Sequence, residues 1–211
     1  MAPTGTGQRT LTSVEILVVG AGPVGLALGL QAHQHGAGVG VVERRSPLER
    51  PSRAMLLWPR TLHALDRLGV VDELKALPAA RLQTTLHLGR RKVPVALADL
   101  APLGGSRSPL MVRQADVESV LHRAATNRGI PVVTGTELIG LDFDREGAVA
   151  TLSSRDERSP VKCRFVVGCD GADSTVRRLA KIPWRGHTYP QEAVLADLHL
   201  QGVSPSVAHI G

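Results

Sequence analysis

The tightest constraint on this chain is a glycine run set between an apolar segment and a helix-forming one. Gly20-Ala21-Gly22-Pro23-Val24-Gly25 follows VEILVV (14–19) and leads into a stretch rich in Leu, Ala and Gln. The short, mainly β-branched run predicts a buried strand over Val14 to Val19. A helix is predicted from Pro23 to His35, with proline in its first turn and Gly36 just past its end. Val39 to Glu43 (VGVVE) predicts a second strand. Together these form a βαβ unit of about thirty residues. In that setting the G-x-G-x-x-G spacing assigns Gly20 to the tight turn, Gly22 to close approach of a pyrophosphate and Gly25 to helix–strand packing. The helix start at Pro23 offers N–H groups and the positive dipole end to phosphates. Glu43 stands 18 residues beyond Gly25 at the end of the second strand, where a carboxylate accepts hydrogen bonds from a ribose hydroxyl. The pattern predicts dinucleotide binding, and it does not choose between NAD and FAD.

The rest of the chain bears on that choice. After Arg44 a plain NAD domain continues with a third βα unit. Here a basic, proline-containing loop (46–60), a helix from near Pro59 carrying Leu62, Leu65 and Leu68, and an alternating hairpin turning near Gly89 intervene. Ala98 to Ser108 reads as a loop. A further helix is predicted over Ala115 to Arg128, from Val117, Val120, Leu121, Ala124 and Ala125. Strands are then predicted over Val132 to Phe143, Val149 to Ser153 and Lys162 to Val167. Gly168 to Ser174 forms a second glycine-containing loop ahead of a short helix, Thr175 to Lys181. One more strand is expected at Ala193 to Leu200. Only five residues are aromatic, so the core falls to Leu, Val, Ile and Ala, which suits strands buried on both faces and an α/β class.

Several classes of function are disfavoured. The net charge of +6 comes from 21 Arg and 4 Lys spread along the chain, with few aromatics to stack on bases, so no nucleic-acid partner is expected. The apolar run from Val14 to Leu30 is interrupted by Glu15 and by glycines, so neither an export signal nor a membrane span is expected. Cys163 and Cys169, on one predicted strand, would lie roughly 20 Å apart at about 3.3 Å per residue and cannot pair with each other. Unpaired thiols fit a reducing, cytoplasmic setting. The eight histidines are scattered, and no metal site is expected.

Four ordered segments then carry a family resemblance: GAGPVGLALGLQAHQHG with VVER, PSRAMLLWPRTLHALDRLGV, VRQADVESVL, and VVGCDGADSTVRRLAKIP followed by YP. Over about Val14 to Asp197 the chain resembles the FAD-dependent aromatic-ring hydroxylases, the class that includes p-hydroxybenzoate, phenol and polyketide hydroxylases. The resemblance implies a Rossmann-like α/β FAD-binding domain with a parallel sheet and an antiparallel β-meander. It implies that Gly20, Gly22, Pro23 and Gly25 cradle the FAD pyrophosphate and that Glu43 binds the adenosine ribose with Arg44 beside it. Arg53 would reach the phosphates or the flavin edge, and Gln114 would contact the flavin nucleotide. Asp170-Gly171 corresponds to a motif associated with both FAD and NAD(P)H, with Arg177 a basic position just downstream. Leu56 departs from the family pattern, where a smaller residue is common, and its bulk would narrow the flavin's route. Apart from the resemblance, Arg53 also reads as a solvated charge, Gln114 as a helix start and Asp170 as a turn former.

The family activity that follows is hydroxylation of an aromatic small molecule with O₂ and NADH or NADPH. The cofactor carries that chemistry, so no side chain is assigned as acid, base or nucleophile. The expected organisation is a disordered leader over 1–12, an FAD-binding domain over 13–181, and over 182–211 a linker and the start of an incomplete substrate-binding domain. Relatives of this kind carry a further Gly-Asp motif and a substrate sheet, and no such motif follows Gly171. The chain is therefore expected to be truncated before most of the substrate domain, with the remainder missing or separately encoded. A non-catalytic nucleotide-binding module or gene remnant, and a dehydrogenase-type NAD domain, are the alternatives.

Overall fold

The computed structural model describes residues 11–46, 54–77, 80–81, 83–95, 109–155, 157–187, 189–190 and 207–210. In chain order its elements begin with β1 (Ser13–Val19), α1 (Pro23–Gln34), β2 (Val39–Glu43), β3 (Ala54–Leu57), α2 (Pro59–Arg67) and α3 (Val71–Ala76). Next come β4 (Ala80–Arg81), β5 (Gln83–Leu88), β6 (Arg91–Val95), β7 (Leu110–Arg113) and α4 (Gln114–Asn127). The order ends with β8 (Val132–Thr134), β9 (Glu137–Phe143), β10 (Ala148–Ser154), β11 (Glu157–Gly168), α5 (Thr175–Leu179) and β12 (Val207–Ile210). The chain divides into two compact units, 1–50 with 121–187 and 51–120 with 188–211.

The first unit is built on a six-stranded sheet in the order β8-β2-β1-β11-β10-β9. Strands β8, β2, β1 and β11 are parallel, while β9 and β10 add an antiparallel meander. Side chains alternate along β1, so Leu17 and Val19 face one way and Val18 the other. Helix α1 lies close against β2, because a Cβ at Gly29 would come within 3.3 Å of Val41 and 3.6 Å of Val39. Leu26 and Leu30 on α1 are fully buried. Strand β11 serves two neighbours: Glu157 to Cys163 pairs with β10, and Lys162 to Gly168 pairs with β1. One long strand thus carries the chain from the meander into the parallel sheet. Leu138, Ala148, Ala150, Leu152, Val161 and Cys163 from the meander form a core cluster with Leu17, Val19 and Val42.

In the second unit β3, β7 and β4 form one three-stranded sheet, and β12, β5 and β6 another. The hairpin β5–β6 turns at Gly89-Arg90, as the alternating pattern predicts. Leu62 and Leu65 of α2, with Leu68 after it, are buried, as are Val71 and Leu74 of α3.

The mixed α/β fold, with its largely parallel sheet and its meander, agrees with expectation. Four local readings need correction. Residues 132–143 are two strands rather than one. Gly135 N–H donates to the Arg45 carbonyl (3.2 Å) and Thr136 N–H to the Glu43 carbonyl (2.9 Å), which breaks the run and sends β8 and β9 to opposite edges of the sheet. Residues 54–57, read as loop, form β3 because β7 supplies a distant antiparallel partner. Helix α3 was not anticipated, being too short to show a period. Leu11, expected in the leader, is buried against Gly40, and the Thr12 carbonyl accepts from Lys162 N–H (3.1 Å). The rest of the leader, Arg53, the loop 98–108 and the strand expected at 193–200 lie outside the described residues.

Candidate functional site

The glycine loop leaves the end of β1 and is closed by the protein's own backbone. Gly20 has φ +104 and its N–H donates to the Val42 carbonyl at 2.8 Å. A Cβ on Gly20 would collide with the Cys169 carbonyl, and one on Gly25 with the Gly20 carbonyl. Both positions are therefore restricted by the close meeting of loop, helix and the end of β11. Gly22 is the N-cap of α1 in extended conformation (φ −74, ψ 179) and makes no side-chain capping bond. Pro23 begins the helix, and the first turn holds no acidic residue. The first-turn N–H groups of α1 thus carry no capping side chain of their own helix, which leaves them to an anionic ligand.

Glu43 ends β2 beside this loop and is only 4% exposed. Its Oε2 accepts from Ala21 N–H at 2.9 Å, and its Oε1 accepts from Arg45 N–H (3.0 Å) and Arg45 Nε–H (2.9 Å). Burial pushes the carboxyl upward, yet the bonds from Arg45 and Ala21, with the guanidinium charge, outweigh it and hold Glu43 below its ordinary value of 4.5. Glu43 is therefore an ionised acceptor that also braces the glycine loop.

The second glycine loop follows β11. Asp170 accepts from Ser174 Oγ–H (2.6 Å), Thr175 N–H (2.6 Å) and Val176 N–H (3.2 Å), so its carboxylate holds the first turn of α5. Ser174 Oγ in turn accepts from Arg177 N–H at 3.0 Å. Arg177 donates to the Ala172 carbonyl at 2.7 Å and stacks on Trp184, 4.5 Å from the ring centre. Cys163 and Cys169 are both free. Burial raises both thiols, with Asp170 adding to the effect at Cys169, so both favour the protonated form.

These parts enclose a crevice of about 220 Å³. Of the residues expected from sequence, it gathers Gly20, Gly22, Glu43, Arg44, Asp170 and Gly171. Pro23 and Gly25, in α1, are not among its lining residues. Gln114 heads α4 in the other unit, where its amide donates to Glu118 at 2.9 Å. Arg53 lies outside the described residues. Arg45, Thr136, Glu137, Leu138 and Cys169 also line the crevice and were not anticipated. Gly135 was the one signal for the middle three, and the continuous strand read across it concealed the turn. The volume falls below the roughly 300–1,000 Å³ of whole small-molecule pockets, and it suits one end of a dinucleotide. Among the described residues no group of three His, Cys, Asp or Glu gathers to hold a metal.

The chain matches a family model described as FAD binding domain over residues 13–209. It is 29% identical to rifampicin monooxygenase of Streptomyces venezuelae, covering 88% of this chain and 38% of that protein. It is 30% identical to the 12-dehydrotetracycline 5-monooxygenase/anhydrotetracycline 6-monooxygenase of Streptomyces rimosus, covering 90% and 37%. Among solved structures, aklavinone-11 hydroxylase in a ternary complex with FAD and aklavinone aligns with TM-score 0.71 at 26% identity, covering 85% of this chain and 37% of that one. The chain thus spans under two fifths of the length of the curated relatives it matches. The family match extends over both glycine loops and Glu43, and this chain belongs to the FAD binding domain family, with FAD as its cofactor.

Proposed function

We propose that the crevice holds the adenosine and pyrophosphate end of FAD as part of a flavin-dependent aromatic hydroxylase. The observation that carries this reading is the convergence of the uncapped α1 N-terminus and the ionised Glu43 on one crevice. Gly20 and Gly25 hold the loop in shape, Gly22 and Pro23 present the helix start to the phosphates, and Glu43 accepts from the adenosine ribose. Arg44 flanks it, while a role for Gln114 and Arg53 at the flavin nucleotide rests on the family resemblance alone. Asp170-Gly171 completes the far wall, with the Asp170 carboxylate committed to α5.

When bound, FAD would supply the redox chemistry of an NAD(P)H- and O₂-dependent hydroxylation of an aromatic small molecule, in which the second oxygen atom leaves as water. The residues of this chain bind and orient it. The relatives named as monooxygenases of rifampicin and of tetracycline intermediates support the reaction class for a longer assembly, supplied by a longer polypeptide or a separately encoded half. The first unit, 1–50 with 121–187, then carries the crevice, while β12 in 188–211 pairs with β5 in the second unit instead of standing as a separate linker. Free thiols suit a cytoplasmic setting, and among the described residues no helix is long and apolar enough to cross a membrane.

Titrating the purified chain with FAD while following flavin fluorescence tests the binding. Saturable quenching is expected, and fluorescence that tracks free FAD throughout would sink the proposal. NAD(P)H oxidation coupled to phenol hydroxylation, assayed with the bound flavin, separates an active oxygenase portion from a binding module.

A further inference from the structure

Arg44 is the residue that the sequence sets beside Glu43, yet the next residue holds the carboxylate. Arg45 grips Glu43 Oε1 twice, through its backbone N–H and its side-chain Nε–H, at 3.0 and 2.9 Å. Its carbonyl accepts from Gly135 N–H, which fastens the turn carrying Thr136 and Glu137 to the same place. On the other side, Ala21 N–H ties Oε2 to the glycine loop. A carboxylate has about four lone-pair directions. Among the described residues three are occupied by these donors, and the fourth, on Oε2, faces a ligand hydroxyl in the proposed site.

The geometry points to Arg45 as the positioning residue of the cofactor site: its two N–H donors fix the Glu43 carboxylate and turn Oε2 toward the ribose. This rests on the proposal that Glu43 receives the FAD ribose. The charged groups lining the crevice around Glu43 are Arg44, Arg45, Glu137 and Asp170. Glu137 and Asp170 are acidic, and the charge that acts on the Glu43 carboxyl is that of Arg45. Arg45 is the one whose side chain bonds its carboxylate. A merely structural Arg45 would change stability and leave the acid limit of flavin binding where it is, whereas a positioning Arg45 moves that limit together with the titration of Glu43.

The test has two readouts. In the free chain, carbon NMR of the Glu43 carboxyl should show titration below the ordinary glutamate range, moving upward in Arg45→Met and less far in Arg45→Lys, which keeps the charge without the Nε–H. In the flavin titration, Arg45→Met should weaken FAD binding about tenfold, as expected for loss of one charge-assisted hydrogen bond, and should move acid release of FAD to higher pH. In a Glu43→Gln background Arg45→Met should leave the pH profile unchanged. An unmoved Glu43 titration in Arg45→Met overturns the assignment, and so does an equal pH shift in the double variant. If Arg45→Met loses its native circular dichroism, Arg45→Lys decides by the same carboxyl titration. Failure of the unaltered chain to bind FAD would overturn the proposed function, while the NMR titration still decides whether Arg45 controls Glu43.

Discussion

At Gly20 the backbone sits at φ +104 and an added methyl would meet the Cys169 carbonyl. Gly20→Ala should cost about 1–3 kcal/mol from the backbone dihedral alone, with the collision adding to it. A lowered urea midpoint at unchanged slope is the expected reading. Asp170→Ala removes the acceptor for Thr175 and Val176 N–H, and should destabilise the chain by about 1–2 kcal/mol. Far-UV circular dichroism through a denaturant series measures it. Glu43 gives a pH-dependent prediction. Its folded-state value lies below the ordinary 4.5, so its contribution is fully present above the unfolded value and is lost as pH falls through the folded one. Glu43→Gln should therefore lower stability at neutral pH and flatten its decline in acid below about pH 4.5, read from urea midpoints across that range. Glu43 and Gly20 were legible in the sequence because each sits inside a motif whose spacing encodes a local geometry. The bond from Ala21 to Glu43 was not, since it joins residues 22 apart through the pairing of β1 with β2.

Strand β11 shows how elements beyond the first βαβ unit acquire their roles. Its apolar residues serve the meander at Val161 and Cys163 and the parallel sheet from Cys163 onward. Leu152 on β10 is 3% exposed within that shared core. Leu152→Ala should destabilise the chain by about 2–5 kcal/mol, the range for emptying a buried leucine site. Phe143 on β9 is 63% exposed, and Phe143→Ala should change stability far less in the same measurement. Helices α1, α2 and α4 were recoverable from sequence because their apolar spacing and their proline or glycine ends are local signals. Strand β3 was hidden among prolines and arginines, and its existence depends on β7, more than fifty residues later. The division of 132–143 into β8 and β9 depends on where β2 ends, which the alternation along 132–143 does not record.

Across the whole molecule the formal charge is +6, and the ligand end proposed for the crevice is an anionic pyrophosphate. FAD affinity should fall as ionic strength rises, because long-range attraction is screened beyond about 10 Å at 0.1 M salt. Fluorescence titrations at low and high salt check this, and a salt-independent affinity would assign binding to short-range contacts alone. The sequence by itself determined the β1–α1–β2 unit, the glycine loop at its turn and the acid at its end. Each of those follows from hydrogen-bond periodicity and backbone sterics within a few residues of itself. Only the tertiary structure decided that Arg45 rather than Arg44 holds the acid, that Thr136 and Glu137 form a wall beside it, and that Asp170 is spent on α5. Those outcomes depend on which strand ends meet, and strand pairing is a non-local choice that residue spacing alone leaves open.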